Sequence, residues 1–219
     1  MPGVIFDLDG VLIDSEGLQY KAYSRVLAQW QIAVTKEQYA EHWIAAGRGP
    51  EYAAANLGMP ISADELRDLK HPVYHDILCR EVTLMPAALA ALERLSAEFP
   101  MALATNSNKL DVDFVMERFG LRRFFQHLVG REDYLGAKPM PDAFLTAAER
   151  LGLPPSQCVV IEDAHKGILA AHRAGTPVIA VPNWWTRNND FSLASRVVTS
   201  LAEVSPDTVR ELTIDPSAK

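Results

Sequence analysis

The sequence alternates short apolar runs with stretches of helical spacing, and this alternation limits the possible folds more than any other feature. Each apolar run is followed by polar or turn residues, and the runs cover residues 4–8, 101–104, 128–130, 158–161 and 177–181. The stretches with helical spacing cover residues 86–98, 110–119, 141–151 and 166–174. Strands that alternate with helices predict an α/β fold, a doubly wound parallel sheet.

One long interval interrupts the alternation. Residues 15 to about 80 contain helical patterns but no apolar run comparable to the others. We therefore predict a helical cap domain at residues 15–80, inserted after the first strand, and a core domain formed by residues 1–14 and 81–219. The chain returns to the core just before Pro86, and proline is well tolerated in the first turn of a helix.

The composition is typical of a folded globular protein and argues against several classes of partner. Of the 219 residues, 48% are apolar and 22% are charged. The formal charge of -7 disfavours a nucleic-acid partner, because binding to phosphate backbones needs clustered Lys and Arg. We find no signal-peptide pattern and no run of about 18 apolar residues. We therefore expect no membrane partner. The chain has only two cysteines, which suits a reducing compartment, and we expect a cytoplasmic location.

Polar side chains gather where the predicted strands end, which is where open parallel sheets bind their ligands. Asp7 and Asp9 follow the first strand, Thr105 follows the second, and Glu162 and Asp163 follow the fourth. Carboxylates so close together repel one another unless positive charge compensates them. The residues therefore predict a cationic partner at this edge of the sheet.

Lys138 supplies one positive charge, and a hard cation such as Mg²⁺ can supply the rest, because it prefers carboxylate, water and phosphate oxygens. This combination predicts a phosphate site. Asp7 is the candidate nucleophile, and Asp9 is the candidate acid and base, two residues further on. Asp163 would hold the metal, with Glu162 acting from beside it.

The remaining core candidates would bind the phosphoryl group of the substrate. Thr105 can donate its hydroxyl to the phosphoryl oxygens, and the backbone N–H groups of Asn106 and Ser107 can complete an anion cradle at the start of the next helix. Gly10 belongs to the same substrate-binding set, because a glycine lets the backbone turn sharply beside the phosphate.

The chain resembles the haloacid dehalogenase superfamily in four segments that occur in the order and spacing of that superfamily. They are Asp7-Leu8-Asp9-Gly10-Val11, Ala104-Thr105-Asn106-Ser107, Gly136-Ala137-Lys138-Pro139-x-Pro141-Asp142 and Ile161-Glu162-Asp163-Ala164-x-x-Gly167-Ile168. The resemblance covers nearly the whole chain. It points to the branch that contains β-phosphoglucomutases, phosphoglycolate phosphatases and sugar-phosphate phosphatases.

This resemblance implies a Rossmann-like core with a mobile helical cap. It also implies an aspartyl-phosphate intermediate, and Mg²⁺ held by Asp7, the backbone carbonyl of Asp9 and Asp163. The expected enzyme is a phosphoric monoester hydrolase that acts on a small phosphorylated metabolite, such as a sugar or polyol phosphate. We expect a monomer or a weak homodimer.

Within the cap, Arg48 is the candidate substrate-binding residue, because glycines on both sides can present its side chain at a bend. His71 and His75 share one helix face at a spacing that metal ligands use, but the sequence suggests no third ligand.

The pair Trp184 and Trp185 follows the last predicted strand, where it could flank the cleft or pack against the core.

Other members of the superfamily give the alternatives. Asp9 argues against a dehalogenase, which has no acid at that position. The cap lysines match no pattern of phosphonate hydrolases. Mutases carry a His where this chain has Gln19, and Gln cannot transfer a proton as His does. Hydrolysis is therefore favoured over a β-phosphoglucomutase-type reaction, and a non-catalytic phosphate-binding protein is the least favoured alternative.

Overall fold

The computed structural model describes residues 1–213, so the last residues of the predicted core segment, 214–219, lie outside the description. The strands are β1 Gly3–Phe6, β2 Met101–Ala104, β3 His127–Val129, β4 Cys158–Glu162, β5 Val178–Ala180 and β6 Arg196–Val197. The helices are α1 Glu16–Leu27, α2 Lys36–Gln38, α3 Gly49–Asn56, α4 Ala63–Glu81, α5 Ala88–Ser96, α6 Lys109–Arg118, α7 Asp142–Arg150, α8 His165–Ala174 and α9 Pro206–Thr213. A π-helical turn, Tyr39–Ala45, continues directly from α2.

The strands form one parallel sheet in the order β3-β2-β1-β4-β5-β6. The strand order reverses between β1 and β4, and such a switch point opens a crevice at the carboxyl ends of the strands. Phe6 is level with Leu103 on one side and with Ile161 on the other, so β1, β2 and β4 end side by side. The predicted α/β fold with a Rossmann-like doubly wound sheet is confirmed.

Strands β1, β2, β4 and β5 are buried on both faces, which explains why they are apolar up to Glu162 at the end of β4 and do not alternate with polar residues. In β1, Val4 and Phe6 belong to a hydrophobic cluster on one face, and Ile5 belongs to a cluster on the other. Helices α5, α6 and α9 contribute to the first cluster, and α7 and α8 contribute to the second.

The segment between β1 and β2 contains the predicted helices, and α1 packs along α4. Many buried side chains of residues 15–80 form a third cluster, whose larger members are Tyr23, Leu27, Tyr39, Trp43 and Leu66. Others, including Leu18, Tyr74 and Leu78, belong to the first cluster and so pack against the core. Helix α4 begins with a capping box, because the Ser62 hydroxyl accepts from the Glu65 N–H and the Glu65 carboxylate accepts from the Ser62 N–H. The domain boundaries at 15–80 stay a prediction.

The two connections between the cap segment and the sheet run side by side. Ile13 pairs antiparallel with Leu84, and the Asp14 N–H donates to the Thr83 carbonyl at 3.0 Å. The Met85 N–H donates to the Leu12 carbonyl at 2.9 Å. The chain therefore leaves and re-enters the core at one place, which is the geometry that a hinge needs.

A second contact between cap and core involves the two histidines of α4. His75 Nδ1 lies 2.6 Å and His71 Nε2 lies 3.3 Å from the carboxylate of Asp111 in α6. Asp111 is buried, and its Oδ2 also accepts from Asn108 Nδ2 at 3.0 Å. The histidines thus share a core carboxylate that the sequence did not point to.

Across residues 1–213, none of the helices combines the length and the apolar composition that a membrane crossing requires.

Candidate active site

Asp7 is the first residue after β1, at the switch point of the sheet. Its N–H continues the sheet pattern and donates to the Ile161 carbonyl at 3.0 Å. The side chain is buried, with 5% of the residue exposed. The strand therefore holds the Asp7 carboxylate rigidly at the floor of the crevice.

Lys138 reaches this carboxylate from the loop before α7. Its ammonium group donates to Asp7 Oδ1 at 2.6 Å, to Glu162 Oε1 at 3.0 Å and to the Ala104 carbonyl at 3.0 Å. Burial alone would favour the neutral amine, but the two carboxylates outweigh it and raise the pKa of Lys138 above its usual range. Lys138 is therefore a fixed cation between the ends of β1, β2 and β4.

Glu162 is the last residue of β4, and both of its oxygens have donors. Oε2 accepts from the backbone N–H groups of Asp163 and Ala164 at 2.8 and 2.9 Å, while Oε1 faces Lys138. A Cβ atom at position 167 would lie 1.6 Å from Oε1. Gly167 is therefore required to make room for Glu162, which explains why these two residues occur together in one segment.

Replacing Gly167 with alanine should displace the Glu162 carboxylate and weaken its contact with Lys138. We expect a loss of about 3 kcal/mol in the free energy of unfolding, measured by urea denaturation, together with loss of activity. Gly17→Ala is the matched control, because a Cβ there meets only the Trp185 ring at 3.9 Å. Equal stability of the two variants would contradict this account of Gly167.

Asp163 and Gly10 lie against each other. Gly10 has φ +75°, and a Cβ there would lie 2.2 Å from Asp163 Oδ2. Only glycine satisfies both constraints. Asn183, in the loop after β5, donates from Nδ2 to Asp163 Oδ2 at 2.8 Å and to the Gly10 carbonyl at 3.2 Å.

Carboxylate oxygens of Asp7, Glu162 and Asp163 lie within 4.8 Å of one another. Burial raises the pKa of Asp7 to about 7, against the opposing effect of Lys138, and burial with the neighbouring carboxylates raises that of Asp163 well above its usual range. One lysine thus leaves negative charge uncompensated, and an all-oxygen donor set suits a hard divalent cation. Because Glu162 already has donors on both oxygens, Asp7 and Asp163 are the better candidate ligands.

The Asp9 carboxylate contacts hydroxyl groups from the predicted cap segment and from the core. Oδ1 accepts from Ser15 Oγ at 2.6 Å, and Tyr74 of the cap lies at 3.5 Å. Oδ2 accepts from Ser107 Oγ at 2.5 Å and from Thr105 Oγ1 at 3.3 Å. The structure therefore brings Asp9 and Thr105 together beside Asp7, while the backbone carbonyl of Asp9 as a metal ligand stays a prediction.

The predicted anion cradle differs in detail from the observed contacts. The Ser107 N–H donates to Thr105 Oγ1 at 3.1 Å, so it is engaged within the protein, and the Ser107 hydroxyl holds Asp9. The side-chain oxygen of Asn106 accepts from the Tyr134 hydroxyl at 2.7 Å and from the Lys138 N–H at 3.1 Å. Asn106 also lines the cavity above Asp7, where it can contact a substrate.

Two neighbouring cavities lie between cap and core. The smaller, about 40 Å³, is lined by the cluster around Asp7. The larger, about 450 Å³, extends into the cap. Glu16, Ile44, Asn106 and Lys166 line both, so the two cavities adjoin. A phosphoryl group at Asp7 would therefore have its leaving group in the larger cavity.

The larger cavity contains charged residues that the sequence did not point to. Glu16 and Lys166 face it, and Lys70 of α4 donates to Gln19 Oε1 at 2.7 Å. Burial lowers the pKa of Lys70 to about 8. No sequence pattern marks these residues, because only the placement of the cap over the sheet brings them to the site.

Arg48 is not brought to the site. It is exposed and lines a separate cavity of about 310 Å³ with His42 and Tyr52. The flanking glycines Gly47 and Gly49 do line the larger active-site cavity, and a Cβ at Gly49 would collide with the Trp43 ring at 1.9 Å. The substrate-binding role of Arg48 stays a prediction.

Comparisons with known proteins agree with this geometry. The haloacid dehalogenase-like hydrolase family matches residues 4–181. The fructose-1-phosphate phosphatase YqaB of Escherichia coli is 31% identical over 82% of this chain and 95% of that protein. The bifunctional riboflavin kinase/FMN phosphatase of Arabidopsis thaliana is 29% identical over 92% of this chain, which spans about half, 54%, of that protein.

A solved structure shows the same fold. CbbY from Rhodobacter sphaeroides in complex with phosphate has a TM-score of 0.78, with 26% identity, over 93% of this chain and 96% of that one. The prediction of an enzyme of the phosphatase type is confirmed by the family and by the phosphatases among its relatives. The chain therefore belongs to the haloacid dehalogenase-like hydrolase family.

Proposed function

We propose that the protein is a Mg²⁺-dependent phosphatase that hydrolyses a small phosphorylated metabolite through an aspartyl-phosphate on Asp7. The observation that carries this proposal is the buried cluster of Asp7, Lys138, Glu162 and Asp163 at the switch point of the sheet. It combines a rigid nucleophile, a fixed cation and a donor set that suits a divalent metal.

In the first step, a carboxylate oxygen of Asp7 attacks the phosphorus atom, and the bond from phosphorus to the ester oxygen of the substrate breaks. Asp9 gives its proton to that oxygen. Lys138 holds Oδ1 of Asp7 and so leaves the other oxygen to attack. The Thr105 hydroxyl, beside Asp9, can donate to the phosphoryl group.

In the second step, Asp9 takes a proton from a water molecule, whose oxygen forms a bond to phosphorus. The bond between phosphorus and Asp7 breaks, and inorganic phosphate leaves. Bound Mg²⁺ would be held by Asp7 and Asp163 and would supply positive charge for the phosphoryl oxygens. Lys138 and the backbone donors to Glu162 keep the carboxylates in place through both steps.

Hydrolysis is favoured over phosphosugar transfer because Gln19 occupies the position of the mutase histidine. Gln19 lines the larger cavity and accepts from Lys70, so this position does face a leaving group. An amide cannot exchange protons with a sugar hydroxyl. The polar and charged lining of the cavity supports a sugar or polyol phosphate as substrate, and the cysteine usage supports a cytoplasmic enzyme.

Magnesium dependence is tested with an aryl phosphate. We expect turnover in the presence of Mg²⁺ and its complete loss in excess chelator, with recovery when Mg²⁺ is restored, because the uncompensated carboxylates otherwise repel the phosphate dianion. Phosphate release is measured directly. Full activity in excess chelator would contradict the metal assignment.

The products of β-glucose 1-phosphate distinguish a phosphatase from a mutase. We expect inorganic phosphate to be released and glucose 6-phosphate not to accumulate, since Gln19 cannot act as a proton donor or acceptor. Chromatography of the products measures the ratio. Accumulation of glucose 6-phosphate would instead favour the mutase alternative.

A further inference from the structure

The loop after β5 joins the candidate metal site to the cap. Asn183 donates from Nδ2 to Asp163 Oδ2 at 2.8 Å and to the Gly10 carbonyl at 3.2 Å. It thereby ties the turn after β1 to the carboxylate that follows β4. Its Oδ1 accepts from the backbone N–H of Trp185 at 2.8 Å, so one amide side chain connects the site to the next residues of the loop.

The Trp185 side chain faces the cap. Its ring lies 6.0 Å from that of Tyr20 and 5.7 Å from that of Tyr39 between centroids, and it packs against the hydrophobic cluster of the cap. Tyr39 in turn donates its hydroxyl to Glu16 at 3.2 Å, and Glu16 lines both active-site cavities. The core thus contributes one aromatic ring to the cap cluster, and it does so from the loop that holds Asp163.

We propose that Asn183 is a positioning residue for Asp163 and that Trp185 makes this positioning depend on the place of the cap, so that cap contact and Mg²⁺ affinity are linked. The inference rests on the proposed function, since it assigns Mg²⁺ to Asp7 and Asp163. It gives a role to Trp185, one of the two tryptophans that the sequence left unassigned.

The physical argument is that a carboxylate ligand binds a metal well only when its orientation is fixed before the metal arrives. The side-chain oxygen of Asn183 is fixed because it accepts from the Trp185 N–H. This orients the Asn183 Nδ2 group toward Asp163. The loop is braced further, because the Asn183 N–H donates to the buried Thr186 hydroxyl at 3.0 Å. If the cap moved away from the sheet, the Trp185 ring would lose its contacts with Tyr20 and Tyr39. The loop would then be held only by its contacts with the core.

The test is calorimetric titration of Mg²⁺ into the metal-free full chain, without substrate. We expect Asn183→Ala to weaken Mg²⁺ binding on the order of 10- to 100-fold and Trp185→Leu to weaken it on the order of threefold to tenfold. The double variant should bind no more weakly than Asn183→Ala, because Trp185 acts through Asn183. Asn188→Ala, an exposed position in the same loop, is the control and should bind as the wild type does.

Circular dichroism in metal-free buffer shows whether each variant is folded. If Asn183→Ala or Trp185→Leu is unfolded, Asn183→Ser or Trp185→Phe is used in its place. Wild-type affinity in the Asn183 variant overturns the positioning role. A weakened Asn183 variant beside an unchanged Trp185 variant overturns the link to the cap. A wild-type chain that binds no Mg²⁺ overturns the proposed function as well, so the two failures are distinguishable.

Discussion

Asp7→Asn is expected to lower phosphate release by about 10⁴-fold or more, because the amide cannot attack phosphorus and the neighbouring carboxylates are already engaged by other groups of the protein. Glu162 has donors on both oxygens, and Asp163 is held by Asn183. Turnover of an aryl phosphate at saturating Mg²⁺ measures the effect. The change is isosteric, so the fold should be retained.

The control for this substitution is the stability of the variant. Lys138 keeps Glu162 and the Ala104 carbonyl as acceptors when Asp7 becomes neutral, so the melting temperature should remain close to that of the wild type. Appreciable turnover by a verified, folded Asp7→Asn protein would exclude Asp7 as the nucleophile.

Lys138→Met should have the second large effect, this time on stability as well as activity. The Lys138 side chain is 2% exposed, and the side chains of its partners Asp7 and Glu162 are 8% and 2% exposed. Removing the ammonium leaves two buried carboxylates without their cation, which costs about 3–5 kcal/mol in the free energy of unfolding. Urea denaturation in metal-free buffer measures the loss, and added Mg²⁺ should restore part of it by neutralising Asp7, which is one of these two carboxylates and a candidate metal ligand.

Lys109→Met is the matched comparison. Lys109 pairs with Asp133 at 3.0 Å, but its side chain is 55% exposed, and exposed ion pairs contribute less than about 1 kcal/mol. If both lysine variants lost the same stability, the special role of the buried Lys138 would be refuted.

The core could be predicted from sequence because each of its main strands is buried on both faces and therefore reads as an uninterrupted apolar run. The predicted strand at 4–8 and the observed β1 Gly3–Phe6 differ only at the ends, since Leu8 is buried in the turn after the strand. Strand β6 was missed because it consists of Arg196–Val197, and both residues are exposed.

The candidate site was predictable where a side chain follows a strand. Asp7, Asp9, Thr105 and Asp163 converge because parallel strands end at one edge. Residues that act through a distant partner were not predictable. Gly167 makes room for Glu162, which local spacing could suggest, but nothing near Asn183 in the sequence indicates that its amide reaches Asp163.

The cap was the least predictable part, because the position of a helix over the sheet depends on packing between segments far apart in sequence. Glu16 and Lys70 reach the cavity only after α1 and α4 pack together over the crevice. Arg48 has the flanking glycines of a binding loop, yet its side chain lines a different cavity. Glycines mark where the backbone bends, but not the direction in which the intervening side chain points.

The most direct test of the central claim is to identify the residue that becomes phosphorylated. Asp9→Asn with an aryl phosphate is the suitable combination. The aryl alcohol can leave without a proton from residue 9, but the water of the second step still has to give a proton to a base at that position. After an acid quench, peptide mass spectrometry should find one phosphoryl group on Asp7. A phosphoryl group on another side chain, or stoichiometric release of the aryl alcohol with no phosphorylated peptide, would contradict the account.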